Sequence, residues 1–348
     1  MATMQSRRRF VTNAAVAGAA GLGAFVAALG AREPSWAAEP PPEITTLRLG
    51  EWPVTCGPQQ WVAPALLHAE GFGDVQYYTW GAQKQDWAPQ VLVSGDVDIS
   101  VSFIPADLMF ADSGEPVVWL AGSHIGCVEL VANERVHSAR DLKGKTVGIG
   151  AAGDLGYIFT AMFASYVGLD PRKDINWFVD PRVNIEQLAE GKFDAIMIGP
   201  PDSVAAREKK IGHALVSTTT DKPWSQYLCC MYSSTQAFVR RYPVATKRAL
   251  RALLKASDLC ASEPEQIARI MAIRDVPPSY TNWRYEYILQ GLKEIPYGQW
   301  RDYDPEDALR WHALWMRDLG MIKNTPQKLI AEHAEWSFLN ELKRELKT

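Results

Sequence analysis

The residues that could do chemistry form no compact catalytic phrase. Gly148, Gly150 and Gly153 stand as G-x-G-x-x-G between a strand-like and a helical run, with Asp174 and Asp180 at about the distance of a ribose-binding acid. That is the pattern of a dinucleotide site. It equally suits a loop whose backbone N–H groups approach a polar or anionic ligand at a helix start, or a plain tight turn. Asp154 beside that start either caps the helix or turns to the ligand, where it would favour an amine or ring N–H over an anion. Gly199-Pro200-Pro201-Asp202 is a similar strand-to-helix turn, with Asp202 capping the next helix or lining a cleft.

The chain has five cysteines, an odd number that leaves at least one thiol free or intermolecular. Cys229 and Cys230 are adjacent and cannot easily bridge each other. Cys56, Cys127 and His124 lie far from them in sequence, and no pair has the short CxxC spacing of a zinc site. Buried or cleft-lining thiols are therefore expected, with no metal. No HExxH, GxSxG or P-loop occurs, and none of the six histidines sits in a catalytic phrase. Binding is favoured over catalysis, and no cofactor is expected. Trp52, Trp61, Trp80, Trp224, Tyr157 and Tyr227 are either core residues or aromatic walls for a flat or cationic organic ligand.

The elements that would position these residues alternate between β-rich and helical runs, which predicts an α/β architecture with mostly parallel sheets. Strands are expected at 46–50, 75–78, 98–102, 117–120 and 129–132, and helices over 58–68, up to Val93 and over 105–111. The rhythm restarts after the charged turn at 138–145, with a strand through Gly148, a helix over 154–167, a strand at 175–179, a helix ended by Gly191 and a last clear strand at 194–198. After Trp224 a helical tail follows, with Leu250, Leu253 and Leu254 on one face and Ile267, Ile270 and Met271 on another. One unit inserted between the halves of another implies two crossovers, near 135 and 223, and a ligand between lobes. The expected boundaries are 43–134 plus 224–348 for lobe 1 and 135–223 for lobe 2.

Ser6-Arg7-Arg8-Arg9-Phe10-Val11, an uncharged Ala- and Gly-rich stretch and Ser35-Trp36-Ala37 read as a twin-arginine signal peptide over 1–37, cleaved after Ala37. A retained anchor is the alternative. Cleavage would remove four Arg and one Glu, moving the net charge from -4 to about -7, a poor balance for nucleic acid.

The phrase Asp141-Leu142-Lys143-Gly144-Lys145-Thr146-Val147-Gly148-Ile149-Gly150, then Val167-Gly168-Leu169-Asp170-Pro171, then Leu188-Ala189-Glu190-Gly191-Lys192-Phe193-Asp194-Ala195 resemble the substrate-binding proteins of nitrate, sulfonate and taurine ABC importers. The same superfamily includes receptors for the thiamine pyrimidine precursor and a pyrimidine-synthesis enzyme. The resemblance implies a type II periplasmic-binding-protein fold, two α/β lobes joined by two crossovers. It also implies a periplasmic location, an ABC permease as partner, a small-molecule ligand and a monomer. Its cleft residues, carried over by position, are Trp52, Cys56, Gly57, Gln59, Ser102, Ile104, His124, Cys127, Gly153, Asp154, Leu155, Tyr157, Gly199, Pro200 and Asp202, to which Tyr227 and Cys229 are added. Cys229-Cys230-Met231-Tyr232 only echoes the enzyme branch's Cys-Cys-Cys-Phe-Cys sequence. These positions hold no Lys or Arg, which favours a heterocycle or amine as ligand; the alternatives are a nitrate-, sulfonate- or taurine-type anion, or a pyrimidine-synthesis-like enzyme.

Overall fold

The computed structural model describes residues 39–51, 54–79, 88–274, 276 and 281–346. The expected signal peptide over 1–37, Trp52 and Trp80 lie outside the described residues. Among the described residues ten strands fall into three sheets. The first pairs β1 (Thr46–Glu51) with β2 (Asp74–Thr79) in parallel. The second has the order β3-β10-β4, from Ser100–Phe103, Leu228–Thr235 and Val117–Ile125, all antiparallel. A parallel bridge between Leu49 and Ile99 joins these two sheets.

The third sheet has the order β7-β6-β8-β5-β9. Its strands are β5 (Glu129–Ala132), β6 (Thr146–Ile149), β7 (Asn176–Val179), β8 (Ala195–Ile198) and β9 (His213–Ser217). β6, β7 and β8 run parallel, whereas β5 is antiparallel to both β8 and β9. The expectation of mostly parallel sheets is thus corrected. Strands that carry the chain from one sheet into the other come back against their neighbours, which makes the second sheet antiparallel and the third mixed.

β9 and β10 escape a reading by periodicity. The first seven residues of β10, Leu228 to Ser234, are all buried, so neither face is polar and no alternation appears. β10 fits between β3 and β4 because position 122 on β4 is glycine: a Cβ there would lie 2.4 Å from Leu228 Cδ1.

Most helices start where the sequence marks them. α1 (Pro58–Val62) and α2 (Pro64–Ala69) replace the single helix expected over 58–68, since Pro64 cannot donate to the helical ladder. α3 is Ala88–Val93 and α4 Ile104–Asp112. α5 (Leu155–Tyr166), α6 (Ile185–Ala189) and α7 (Asp202–Glu208) belong to the third sheet's side. α8 (Gln236–Arg241), α9 (Pro243–Ser262), α10 (Pro264–Ala272) and α11 (Tyr285–Glu294) open the helical tail. α9 buries Leu250, Leu253 and Leu254 as its spacing predicts. Its Arg251 is fully buried yet hydrogen-bonded to Glu39, Glu70 and Glu345, which ties both ends of the described chain to the core.

The chain leaves the second sheet through Gly126 and Cys127, both at positive φ (63° and 111°), and returns between Ser217 and Leu228. The two passages run side by side. The Thr219 and Thr218 hydroxyls accept hydrogen bonds from the Cys127 and Val128 amides at 3.1 and 3.0 Å.

Beneath β10, Asp107 on α4 is fully buried and accepts a hydrogen bond from the Ser233 hydroxyl. Burial pushes its carboxyl up to about 7, with Ser233 pulling the other way. An unfolded Asp titrates near 3.8. Between these values the folded chain keeps a proton that the unfolded chain has lost, so this group's contribution is complete at the acid end and disappears as pH rises through 7. Urea unfolding should therefore show stability falling over that window, and Asp107→Asn should flatten the slope. An unaltered slope in a folded variant would refute the assignment.

Candidate functional site between the sheets

A cavity of ≈ 420 Å³ lies between the first two sheets and the third, within the size range of small-molecule sites. From one side it receives Cys56 and Gly57 ahead of α1, Val101 and Phe103 of β3, and Cys230 of β10. From the other come Ile149 and Gly150 after β6, Asp154 and Leu155 at the start of α5, and Met197 to Asp202 around the β8–α7 turn. Most of the wall is aliphatic. Asp154 and Asp202 are the charged residues among its described lining, and no Lys or Arg is among them.

Asp154 resolves its two readings. It is the N-cap of α5, and its carboxylate accepts from the amides of Gly150 (2.7 Å), Ala151 (3.0 Å) and Tyr157 (2.7 Å). Burial raises its pKa against the pull of these amides. The glycine-rich loop is therefore already filled by an anion belonging to the chain itself, at the place a pyrophosphate would need. Gly153 supplies the left-handed turn (φ 85°) that brings the loop round.

Asp202 does not cap α7; it occupies the first helical position, and its carboxylate accepts from Asn282 Nδ2 at 2.7 Å. Burial raises its pKa, Asn282 counteracts this, and Glu186 adds to it. Around it the two sides of the cavity touch. Thr55 donates through its hydroxyl to the Pro200 carbonyl at 2.9 Å, Lys209 donates to Asn282, and Arg207 bridges Glu129 (2.6 Å) and Glu294 (2.7 Å).

Of the residues expected at the cleft, Cys56, Gly57, Asp154, Leu155, Gly199, Pro200 and Asp202 line the cavity. Others stand behind the wall. Ser102 points away because strand parity gives the cleft to its neighbours Val101 and Phe103. Ile104 packs in the core under α4, and Gln59 donates to the Ser123 hydroxyl at 3.1 Å. Tyr157 packs on Trp177, ring centres 4.7 Å apart, and Tyr227 stacks on Trp311 at 4.5 Å. Trp61 and Trp224 are buried in aromatic clusters with Trp283 and Phe163. Phe103 is thus the aromatic residue of the described wall. Trp52 lies outside the described residues.

His124, Cys127 and Cys229 sit just below the floor. Burial opposes charge on His124, but the sulfurs of Cys230 and Cys56 prevail and push its imidazole up to about 9. A hydrogen bond from Cys127 draws the Cys229 thiol down to about 6. Cys230, Val128 and Val183 were missed as lining residues; strand parity could have found Val128 once β5 was placed, but Cys230 depends on the unseen β10.

The profile described as NMT1/THI5 like matches residues 75–267. No curated protein matches the sequence. Among solved structures, the periplasmic nitrate-binding protein NrtA of Synechocystis PCC 6803 superposes with a TM-score of 0.73 at 16% identity, covering 88% of this chain and 90% of its own. The alkanesulfonate-binding protein SsuA of Xanthomonas axonopodis pv. citri, bound to MOPS, gives 0.66 at 16% identity over 86% and 100%. A Candida albicans protein with the generic periplasmic binding protein fold gives 0.63 at 12% identity over 83% and 96%. These likenesses establish that fold for the chain.

Replacing Asp154 by Ala tests the filled loop. The variant should lose about 0.5–2 kcal/mol of stability with its cap. It should also gain a sulfate-dependent rise in melting temperature that the wild type lacks, because three amides become free for an external anion. Equal sulfate responses in the two proteins would contradict the reading.

Proposed function

This chain belongs to the NMT1/THI5-like family, and on that premise we propose that it is the substrate-binding component of an ABC importer, capturing a small organic solute between two closing lobes. The first two sheets with the helical tail form lobe 1 and the third sheet, which includes β5, forms lobe 2, hinged where the two passages run side by side; the crossings then lie near 127 and 218–227, in place of the expected 135 and 223. The fold it shares with nitrate- and alkanesulfonate-binding proteins supports a receptor in preference to an enzyme. The working form is a monomer in the periplasm that hands its solute to a membrane permease. The Arg7-Arg8 pair supports export by the twin-arginine route.

The single observation that carries the ligand class is the charge of the cavity. Two half-buried carboxylates and no cation among the described lining residues make a poor seat for nitrate or a sulfonate, and the loop that offers backbone donors is filled by Asp154. The aliphatic wall and Phe103 suit an apolar body, and Asp202 suits a cationic or N–H-bearing end. The solute is thus a neutral or cationic organic compound, with an aminopyrimidine or amine as the first candidate.

Titration calorimetry with an aminopyrimidine and a simple alkylamine, beside nitrate, taurine and an alkanesulfonate, decides between the classes. The heterocycle or amine should bind near micromolar, about -8 kcal/mol, and the anions should not. Asp202→Asn should weaken the cationic ligand by tenfold or more, as expected for an unpaired buried charge. Micromolar binding of an anion, with none by the organic bases, would overturn the assignment.

Export is tested separately. Replacing Arg7 and Arg8 by Lys should leave uncleaved precursor in the cytoplasm, and undiminished periplasmic protein would remove the twin-arginine argument.

A further inference from the structure

Five donor side chains converge under the cavity floor from three distant parts of the sequence. Cys56 follows β1, His124 and Cys127 flank the passage from β4 to β5, and Cys229 and Cys230 open β10. The donor atoms of Cys56, His124 and Cys127 lie within 4.8 Å of one another, and so do those of Cys127, Cys229 and Cys230. Cys127 belongs to both groups and is held at a φ of 111°, a conformation in which glycine is the ordinary choice. A thiol is kept at a position where the backbone would favour having no side chain.

The distances suit a shared ion. Cys127 Sγ and Cys229 Sγ are 3.5 Å apart. Tetrahedral thiolates at about 2.3 Å from zinc stand about 3.8 Å from each other. His124 contributes differently: Nδ1 faces the Ile125 carbonyl at 3.1 Å and Nε2 the Cys56 carbonyl at 2.9 Å. Both ring nitrogens are thus already engaged by carbonyls of the chain. The sulfur atoms remain as the ligand set. Thiolates buried here have no Lys or Arg among the cavity's described residues to balance them.

We propose that Cys127, Cys229 and Cys230, with Cys56 completing the set, bind one thiophilic d10 cation, Zn(II) or Cu(I), beneath the cavity floor. Soft sulfur donors select such ions over Mg(II), Ca(II) or Mn(II). Binding releases the thiol protons to solvent. Cys56 and Cys230 both line the cavity, so the ion becomes part of the floor on which a solute rests. Cys127 lies on the outward passage and Cys229 and Cys230 at the end of the return, so the same ion joins the two. The site stands independently of the receptor reading, since it requires no solute.

The test uses the exported chain, reduced, stripped of metal and kept free of oxygen, titrated with Zn(II), Cu(I) and, as a spectroscopic probe, Cd(II), with no organic ligand present. Native mass spectrometry should find about one tightly held ion per chain, with a thiolate-to-cadmium absorption band and a higher melting temperature. Replacing Cys229 and Cys230 together by Ser should weaken the ion roughly a hundredfold, while Cys260→Ser, a buried thiol of α9 outside the cluster, should leave it unchanged. Should the double variant fail to fold, Cys56→Ser, at the least buried of the four, should still weaken the ion and diminish the cadmium band. The proposal is overturned if the reduced wild type takes up no more metal than the variants, or if Cys260→Ser weakens the ion as much as the cluster variants do.

Discussion

Two amide-to-hydroxyl hydrogen bonds, from Cys127 and Val128 to Thr219 and Thr218, hold together the two places where the described chain passes between its first two sheets and its third. Because the passages are bonded to each other, neither can turn without the other. A rotation there moves the third sheet as a body relative to the first two. Gly126 makes this closeness possible, since a Cβ at that position would lie 2.5 Å from Thr219 Cα. The cavity, the thiols beneath it and the contacts of Thr55, Asn282 and Arg207 across its mouth are all arranged around this paired link.

The cavity depends in turn on β10. By taking the middle place between β3 and β4, the returning strand brings Cys230 into the wall and Ser233 onto Asp107. Stability and site therefore share one strand. Its eight residues contain no charged side chain, yet Ser233 holds the buried Asp107 carboxyl and Cys229 and Cys230 supply two of the clustered thiols.

Much of this was legible in the sequence. Proline at the starts of α9 and α10, the buried leucines of α9, Asp154 as a cap and the strand-turn-helix phrases around 146–156 and 195–203 follow from local rules, and the structure has them where those rules put them. What stayed hidden is non-local. Ser102 is one residue out of phase with the cleft, because the parity of β3 is decided by partners more than a hundred residues away. Cys127 and Cys229 are 102 positions apart, so no spacing rule could bring them together, and the strand that does so has no alternating pattern. Of the aromatic residues considered for the cleft, Trp61, Trp224, Tyr157 and Tyr227 pack instead against other rings, where large rings bury the most area.

The carboxylate of Asp154 has a consequence for selectivity. A side chain bonded to amides a few residues away acts as a tethered competitor whose effective concentration is about millimolar or higher, whatever the surroundings contain. An anion arriving from solution must displace it before meeting a single backbone donor. Discrimination at this loop is thereby set by occupancy, so it does not drift with the phosphate, sulfate or nitrate content of the medium. A change of ligand class would begin with the loss of the occupant, before any new binding group had to be added.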